Sequence, residues 1–378
     1  MKSRHIISGI KLTGFKSYGD LCRDGIGLGD INVIIGANGS GKSNLISFLE
    51  MLAYIANDDL GTYLGKNGFA ESVLHFGSKV TQKATGEITL VNENQCSRYQ
   101  FSLAAGVDGR LYFERENVSC KNEDDEIQYE SDLESFAERS GLIARSNEDK
   151  SVNDLLSLLK ILRVFHFNDT SINSVMRTPT YLHDNAVLRS DAGNISAFLL
   201  RMRQENRGYY DRIKNIIHEV FTRFDDFSLN PIHYDGSDDR ILLNWTERGI
   251  DNVFGPHMVS DGTIRFIALA TLLLQPEEGM PEVIILDEPE MGLHPYAINM
   301  LSELIRKAAG HSQIILSTQS AALVDCFDVE EVIISEYDPR EKSSFLHRPD
   351  PEELKEWLNE YSLGELWEKN ILGGVPFR

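Results

Sequence analysis

Ile31-Asn-Val-Ile-Ile-Gly-Ala-Asn-Gly-Ser-Gly-Lys-Ser43, followed by Asn44-Leu-Ile-Ser-Phe-Leu-Glu-Met-Leu52, decides how the rest of this chain is read. An apolar β-type run leads into GANGSGKS (36–43), and a helix-like pattern follows. Gly36, Gly39 and Gly41 let backbone N–H groups curl around phosphate oxygens, and a helix opening at Lys42 turns its positive dipole end toward them. In this pattern Lys42 reaches the β/γ-phosphates and Ser43 holds Mg²⁺, with Asn38, Ser40 and Asn44 in the same loop and helix start. The implied ligand is ATP or GTP with Mg²⁺. The alternative is a Gly-rich strand-to-helix turn.

A second chemical cluster lies far downstream. Val283-Ile-Ile-Leu-Asp-Glu288 reads as a buried strand ending in two carboxylates, and ligands collect at the carboxyl ends of parallel strands. Asp287 is placed to hold Mg²⁺ through water and Glu288 to polarise an attacking water as general base. A strand that merely stops at an Asp-Glu-Pro turn would look the same.

Between them stands Val259-Ser-Asp-Gly-Thr-Ile-Arg265, ahead of a long apolar helix pattern. Ser260 is a good N-cap, and a helix start with free N–H donors attracts anions. The segment resembles the signature motif of ABC-type ATPases, S-x-G at a helix start with a basic residue three places on. The resemblance implies that Ser260 and Gly262 contact the γ-phosphate held by another subunit, so that two copies share each site. After Glu288 come Pro-Glu-Met-Gly-Leu-His-Pro295, a helix from Tyr296 to Ala309 stopped by Gly310, and a strand from Gln313 to Leu316 running into Ser317-Thr-Gln-Ser320. Pro295 at the helix start and Gly310 after its end suit the usual asymmetry of helix termini. This segment resembles the D-loop and switch strand of the same ATPases, with Gln319 where the family has a His. Glutamine can donate to a phosphate oxygen but cannot take up a proton as His does.

Ile10-Lys-Leu-Thr-Gly-Phe-Lys-Ser-Tyr18 resembles the opening of chromosome-maintenance (SMC), RecF and overcoming-lysogenization-defect (OLD) ATPase heads. That makes Phe15, Lys16 and Tyr18 candidates near the nucleotide, against the alternative of an edge strand with core aromatics. With Tyr361-Ser-Leu-Gly-Glu-Leu-Trp-Glu-Lys-Asn-Ile-Leu-Gly-Gly374, the whole chain is similar to stand-alone bacterial AAA/RecF-like ATPases. The expected fold is α/β: an ABC-ATPase-type P-loop head with a mixed sheet, a flanking antiparallel sheet and a helical signature lobe. A single head over 1–378 is expected, with a phosphate-loop lobe (1–165), a helical insertion (166–230), the signature, Walker B and switch (231–340) and a C-terminal helical tail (341–378).

At 378 residues, 42% hydrophobic and 25% charged, the chain has globular composition. A formal charge of −21 argues against broad nucleic-acid adhesion. The four cysteines (Cys22, Cys96, Cys120, Cys326) lack metal-ligand spacing, and no run approaches a membrane span or a signal peptide. A cytoplasmic, reduced protein is expected. Residues 122–149, dense in Glu and Asp, read as a solvated, mobile excursion. The run Arg163 to Thr170 reads as a β-strand where ABC heads carry a Q-loop, with Asn168 or Asp169 as stand-ins for the missing Gln. Residues 194–224 carry Arg201, Arg203, Arg207, Arg212 and Arg223 with Tyr209 and Tyr210. They suit nucleic acid or a partner, or else a helix pair whose arginines meet the acidic stretch. Leu354, Trp357, Leu358 and Tyr361 share a helical face expected to pack on the head.

The resemblance implies an ATP-dependent homodimer, head to tail, acting in antiviral defence on a separate effector such as a nuclease, with DNA binding open. OLD-type nucleases carry a TOPRIM domain after the head, whereas about sixty residues follow Gln319 here. A RecF-like DNA-repair clamp is the alternative, and a transporter subunit is disfavoured by GFKSY.

Overall fold

The computed structural model describes residues 5–20, 24–92, 95–121, 127–133, 137–234 and 236–374. Contacts divide the chain into two units, residues 1–164, 281–285 and 312–378 in the first and residues 165–280 and 286–311 in the second. The first unit runs through β1 (Ile6–Thr13), β2 (Ile26–Gly27), β3 (Ile31–Ile35), α1 (Lys42–Ala56), α2 (Leu60–Asn67) and α3 (Phe69–Val73). It continues through β4 (Lys83–Asn92), β5 (Gln95–Ala105), β6 (Leu111–Lys121), β7 (Ile127–Asp132), α4 (Leu142–Ser146), α5 (Lys150–Ile161) and β8 (Arg163–Phe165). The second unit holds β9 (Thr180–Tyr181), α6 (Ile195–Glu205), α7 (Arg207–Val220), β10 (Phe224–Ser228), β11 (Ile232–Tyr234), β12 (Ser237–Ile241), β13 (Asn244–Glu247), β14 (Ile250–Phe254) and α8 (Asp261–Leu273). After β15 (Val283–Asp287) and α9 (Pro295–Ala309), the first unit is completed by β16 (Gln313–Ser317), α10 (Ala321–Val324), β17 (Val332–Asp338), β18 (Ser343–His347), α11 (Pro351–Leu354) and α12 (Leu363–Glu368).

Two six-stranded sheets follow from two hydrophobic patterns. β3 is apolar at four of its five positions and buried along its whole length, as a strand covered on both faces must be. It sits in a mixed sheet of order β18-β17-β3-β16-β15-β8, parallel to β16 and β17, with β18 antiparallel to β17. β4 instead alternates buried and open positions, the period of a strand with one packed face. It belongs to the antiparallel sheet β2-β1-β4-β5-β6-β7. A single apolar core joins Ile10, Ile88 and Phe101 of that sheet to Leu45 and Phe48 of α1, Leu155 of α5, and Ile34, Ile285 and Ile315 of the mixed sheet. Gln313, fully buried, ties the layers with its amide: Ile7 N–H donates to it, and it donates to the Ile7 and Gly29 carbonyls.

In the second unit α8 is buried nearly all round from Ile264 to Leu273, which makes it the central helix. The unit also carries two three-stranded sheets, β10-β13-β14 and β11-β12-β9, so it is less purely helical than expected.

Several local expectations need correction. Part of the acidic stretch is ordinary structure: β7 pairs with β6, and Asp149 caps α5 through the Ser151 and Val152 amides. The fully buried Glu116 gathers the Tyr99 and Ser140 hydroxyls and the Gly141 N–H, and burial pushes its carboxyl up. The run after Arg163 stays a strand only to Phe165. Pro295 opens α9, capped by His294, and Gly310 follows its last residue as expected, although at φ −63° and not in the left-handed region. The aromatic stripe near residue 357 is broken, because α11 stops at Leu354 and a short 3₁₀ turn follows. Leu354 is buried, whereas Trp357 and Leu358 are 46% and 39% exposed. Cys120 is buried, and Cys22 lies outside the described residues. No described helix is long and apolar enough to cross a membrane.

Candidate active site

In the first unit, the end of β3 turns sharply into α1, and two of the glycines there are crowded by their neighbours. A methyl group on Gly36, at φ +150°, would lie 2.2 Å from the Ser335 carbonyl oxygen. One on Gly41, at φ +116°, would lie 2.7 Å from the Ser344 hydroxyl and 3.0 Å from that of Ser17. Behind the loop, β17 and β18 supply hydroxyl braces. Ser335 donates to the Ser40 carbonyl at 3.0 Å, Ser344 donates to Ser17 at 2.8 Å, and the Tyr18 hydroxyl donates to the Gly41 carbonyl at 3.1 Å. None of Ser17, Ser335 or Ser344 is singled out by the sequence motifs.

Lys42 is 4% exposed and curls into its own loop, donating to the Gly36 carbonyl at 2.6 Å and the Ala37 carbonyl at 3.1 Å. Asn38, Gly39 and Ser43 are exposed, and Ser40 is buried. Asn44 directs its amide to the Ser17 hydroxyl at 2.8 Å, which makes it a brace of the GFKSY turn.

Lys16 does not point at the loop glycines. At φ +47° it turns its ammonium toward Ser47 (2.6 Å) and Asn67 (3.0 Å), and burial pushes its pKa down. Phe15 is a core aromatic packed edge-on against Phe48, 5.6 Å between centroids. The GFKSY motif therefore shapes and supports the loop, with Tyr18 as its contact. In the same unit Thr318 N–H donates to the Ile34 carbonyl at 3.0 Å, so the chain after β16 leaves the sheet beside β3, and Gln319 is exposed there.

The second unit carries the two carboxylates and the signature. Asp287 and Glu288 are half-buried, and Glu288 has φ +46°, a conformation a glutamate rarely holds without reinforcement. The following turn closes with the Met291 amide on the Glu288 carbonyl (3.2 Å) and the Leu293 amide on the Glu290 carbonyl (2.9 Å). Ser260 caps α8 by accepting the Thr263 N–H at 3.2 Å. Gly262 is required by packing, since a methyl group there would lie 2.2 Å from the Gly292 carbonyl oxygen.

Two arginines hold this region. Arg265, 3% exposed, donates to the Phe167 and Asn168 carbonyls at 3.0 and 3.2 Å; burial lowers its pKa, and Asp261 and Glu290 raise it. Arg177, its side chain 5% exposed, donates to the Thr170, Pro256 and Val259 carbonyls and pairs with Asp261 at 2.8 Å. The segment at the Q-loop position thus contributes carbonyls, while the Asp169 carboxylate accepts the Ser171 N–H at 3.1 Å. Arg177 was missed by sequence reading, because its partners lie up to 84 positions away.

Within the second unit the arginine-rich segment finds acidic partners of its own. Arg201 pairs with Glu205, Arg207 with Asp211 and Arg223 with Glu247; Tyr210 is fully buried with its hydroxyl on Asp226. A buried tyrosine cannot stack on a base.

The family described as "AAA domain, putative AbiEii toxin, Type IV TA system" matches residues 31–325, most of the chain, including the phosphate loop, the signature, the Asp287-Glu288 pair and the switch strand. The chain belongs to this family. It is an ATPase-type head, and the family implies nucleotide binding. Its fold is similar to an Smc head bound to the C-winged helix domain of ScpA, with TM-score 0.55 and 17% identity over 92% of this chain and 99% of that one. It is equally similar to a Pyrococcus furiosus Smc head with an extended coiled coil bound to the C-terminal domain of ScpA (TM-score 0.55, 16% identity, 94% and 99% covered). The α/β head with mixed and antiparallel sheets is therefore the fold. A stretch of 96 residues is 31% identical to human ATP-binding cassette sub-family A member 6, covering 25% of this chain and 6% of that protein.

Proposed function

We propose that the chain binds ATP with Mg²⁺ on the 36–43 loop and hydrolyses it, with Glu288 as general base. The observation that carries this reading is the loop itself: a cradle no Cβ could enter at Gly36, with a buried lysine folded into it and an exposed serine at the helix start. Its donors are of the kind an oxyanion takes. Ser43 and Asp287 are hard oxygen ligands and would hold Mg²⁺, which supplies charge neutralisation on the phosphates. Glu288, held in a strained backbone next to Asp287, suits a base whose direction matters. Gln319, exposed at the end of β16, is assigned to sensing the γ-phosphate.

Ser260 and Gly262 are assigned to the nucleotide of a second copy, giving a head-to-tail homodimer that hydrolysis loosens. The chain then serves as the switch subunit of a bacterial antiviral system with a separate effector. The toxin–antitoxin wording of the family description supports that setting. DNA is a secondary expectation, since three of the five arginines in the basic stretch are ion-paired within their own unit.

The test uses complementing defects. Lys42→Ala should abolish nucleotide binding, and Glu288→Gln should keep binding while slowing phosphate release ~10²–10⁴-fold. Lys42→Ala and Ser260→Arg proteins, each inactive alone, should regain roughly a quarter of wild-type hydrolysis when mixed, because about half the pairs are heterodimers with one intact site of two. Parental turnover in Glu288→Gln would remove the base assignment. No recovery on mixing, with subunit exchange verified, would remove the shared site.

A further inference from the structure

The stretch from Leu363 to Gly374 has no part in the site so far, yet it ends against the phosphate loop. Helix α12 is anchored by buried Leu366 and Trp367 and packs closely on α10. The Gly364 N–H donates to the Asp325 carboxylate at 2.6 Å, and a methyl group on Gly364 would come 2.5 Å from the Ala321 carbonyl. The chain then reverses through Asn370, Gly373 and Gly374, with φ of +58°, +84° and +76°.

That reversal lays Gly374 on the first glycine of the loop. A side chain at Gly374 would place its first carbon 3.4 Å from the Gly36 Cα, 3.1 Å from Ile334 and 3.3 Å from the Trp367 indole nitrogen. Glu336 on β17 provides the seat: one carboxylate oxygen accepts the Gly374 N–H at 2.5 Å, and the other lies 3.4 Å from His347 Nε2. At Gly373 a first side-chain carbon would fall 2.5 Å from the same carboxylate, and at both positions the positive φ favours glycine.

We propose that the Gly373–Gly374 turn, seated by Glu336, is a positioning element of the phosphate loop. Gly36 lies between this turn and the loop's lysine: its Cα faces Gly374, and its carbonyl accepts the Lys42 ammonium. Holding Gly36 from behind fixes the carbonyl that orients Lys42. Losing the seat lets the loop open without disturbing the core, because the contact is made by backbone at the loop's rim. The nucleotide readout of this proposal rests on the function proposed above, so its primary readout is independent of nucleotide.

The experiment measures amide hydrogen exchange across residues 36–43 in nucleotide-free protein, for wild type, Gly374→Val and Glu336→Gln. Gly374→Val drives a branched side chain toward Gly36 at a φ it resists. Glu336→Gln keeps the shape and weakens the acceptor. Loop exchange should accelerate about tenfold in the first and roughly threefold in the second, the scale of one or two weakened hydrogen bonds, with exchange in α8 and β5 unchanged. The Kd for ATP·Mg²⁺ should rise by similar factors. Unchanged loop exchange in folded Gly374→Val overturns the proposal. If that variant does not fold, unchanged exchange in Glu336→Gln overturns it. Faster loop exchange in a protein that binds no ATP even as wild type would sink the nucleotide reading and leave the positioning role standing.

Discussion

The phosphate loop and the signature helix are both turns into a helix start, but opposite chemistry holds them. Around residues 36–44 the groups set directly against the turn are neutral: hydroxyls of Ser17, Tyr18, Ser335 and Ser344, and backbone close enough to exclude any side chain at Gly36, with the Glu336 carboxylate acting only through the Gly374 turn. Around residues 256–265 they are two buried guanidinium groups on carbonyl oxygens. A neutral hydrogen bond is cheap to bury and worth about 1 kcal/mol, so support spread over four hydroxyls fails gradually. A buried guanidinium is costly to desolvate, and removing it strands several carbonyls at once. The loss of any one of these hydroxyls should therefore cost the fold little, while the signature region concentrates its risk in Arg177 and Arg265.

The largest expected effect ignores that chemistry and tests the packing common to both regions. Gly36→Ala and Gly262→Ala each force a carbon to 2.2 Å from a backbone carbonyl oxygen, of Ser335 and of Gly292. Neither carbonyl is a flexible side-chain tip, so each change should cost on the order of 3 kcal/mol or more in urea unfolding. Gly36→Ala should be the worse, because alanine also resists φ +150°. A wild-type unfolding midpoint in either variant would show that the close approach is not real.

Next in size is the arginine contrast. Arg265→Met keeps the bulk of the side chain but leaves the Phe167 and Asn168 carbonyls without this donor, and about 2–4 kcal/mol should be lost. Arg177→Met should cost less, roughly 1–3 kcal/mol, since its three carbonyl bonds are only part-buried and its charged partner Asp261 is 69% exposed, so water can replace the lost donor. The ordering is the sharp part: a larger loss for Arg177 would mean that its three carbonyls and ion pair, and not the buried Arg265 set, hold the start of α8.

What could be read in the sequence was local. The loop glycines, Lys42, the Asp287-Glu288 pair, the Ser260 cap and the β3 and β4 patterns all announce themselves within a few residues, because strand period, cap chemistry and turn geometry are short-range. The supports were illegible for the same reason. Ser335 reaches Ser40 across 295 positions and Ser344 reaches Ser17 across 327, and no periodicity marks a serine as a brace. Lys16 shows the opposite failure: a motif that pointed at nucleotide conceals a lysine that the positive φ turns onto Ser47 and Asn67. The 354–361 stripe had helical spacing without a helix, since α11 ends at Leu354 before the pattern completes.

The smallest effect probes the neutral side of the comparison. Ser335→Ala removes the donor to the Ser40 carbonyl, and Ser344→Ala removes the donor to the Ser17 hydroxyl. Each should lower stability by about 1 kcal/mol, with the cost set by whether water can reach the acceptor left behind. The Ser40 carbonyl bond is buried, so Ser335→Ala should stand at the upper end. The Ser17 hydroxyl still accepts from the Asn44 amide, so Ser344→Ala should stand at the lower end. The two bonds share no atom, and the double variant should lose the sum of the single losses to within about 0.5 kcal/mol. A double loss well beyond that sum would mean that the hydroxyls act as one cooperative clamp. The loop would then be as concentrated in its risk as the arginine-held signature, and the contrast between the two regions would fail.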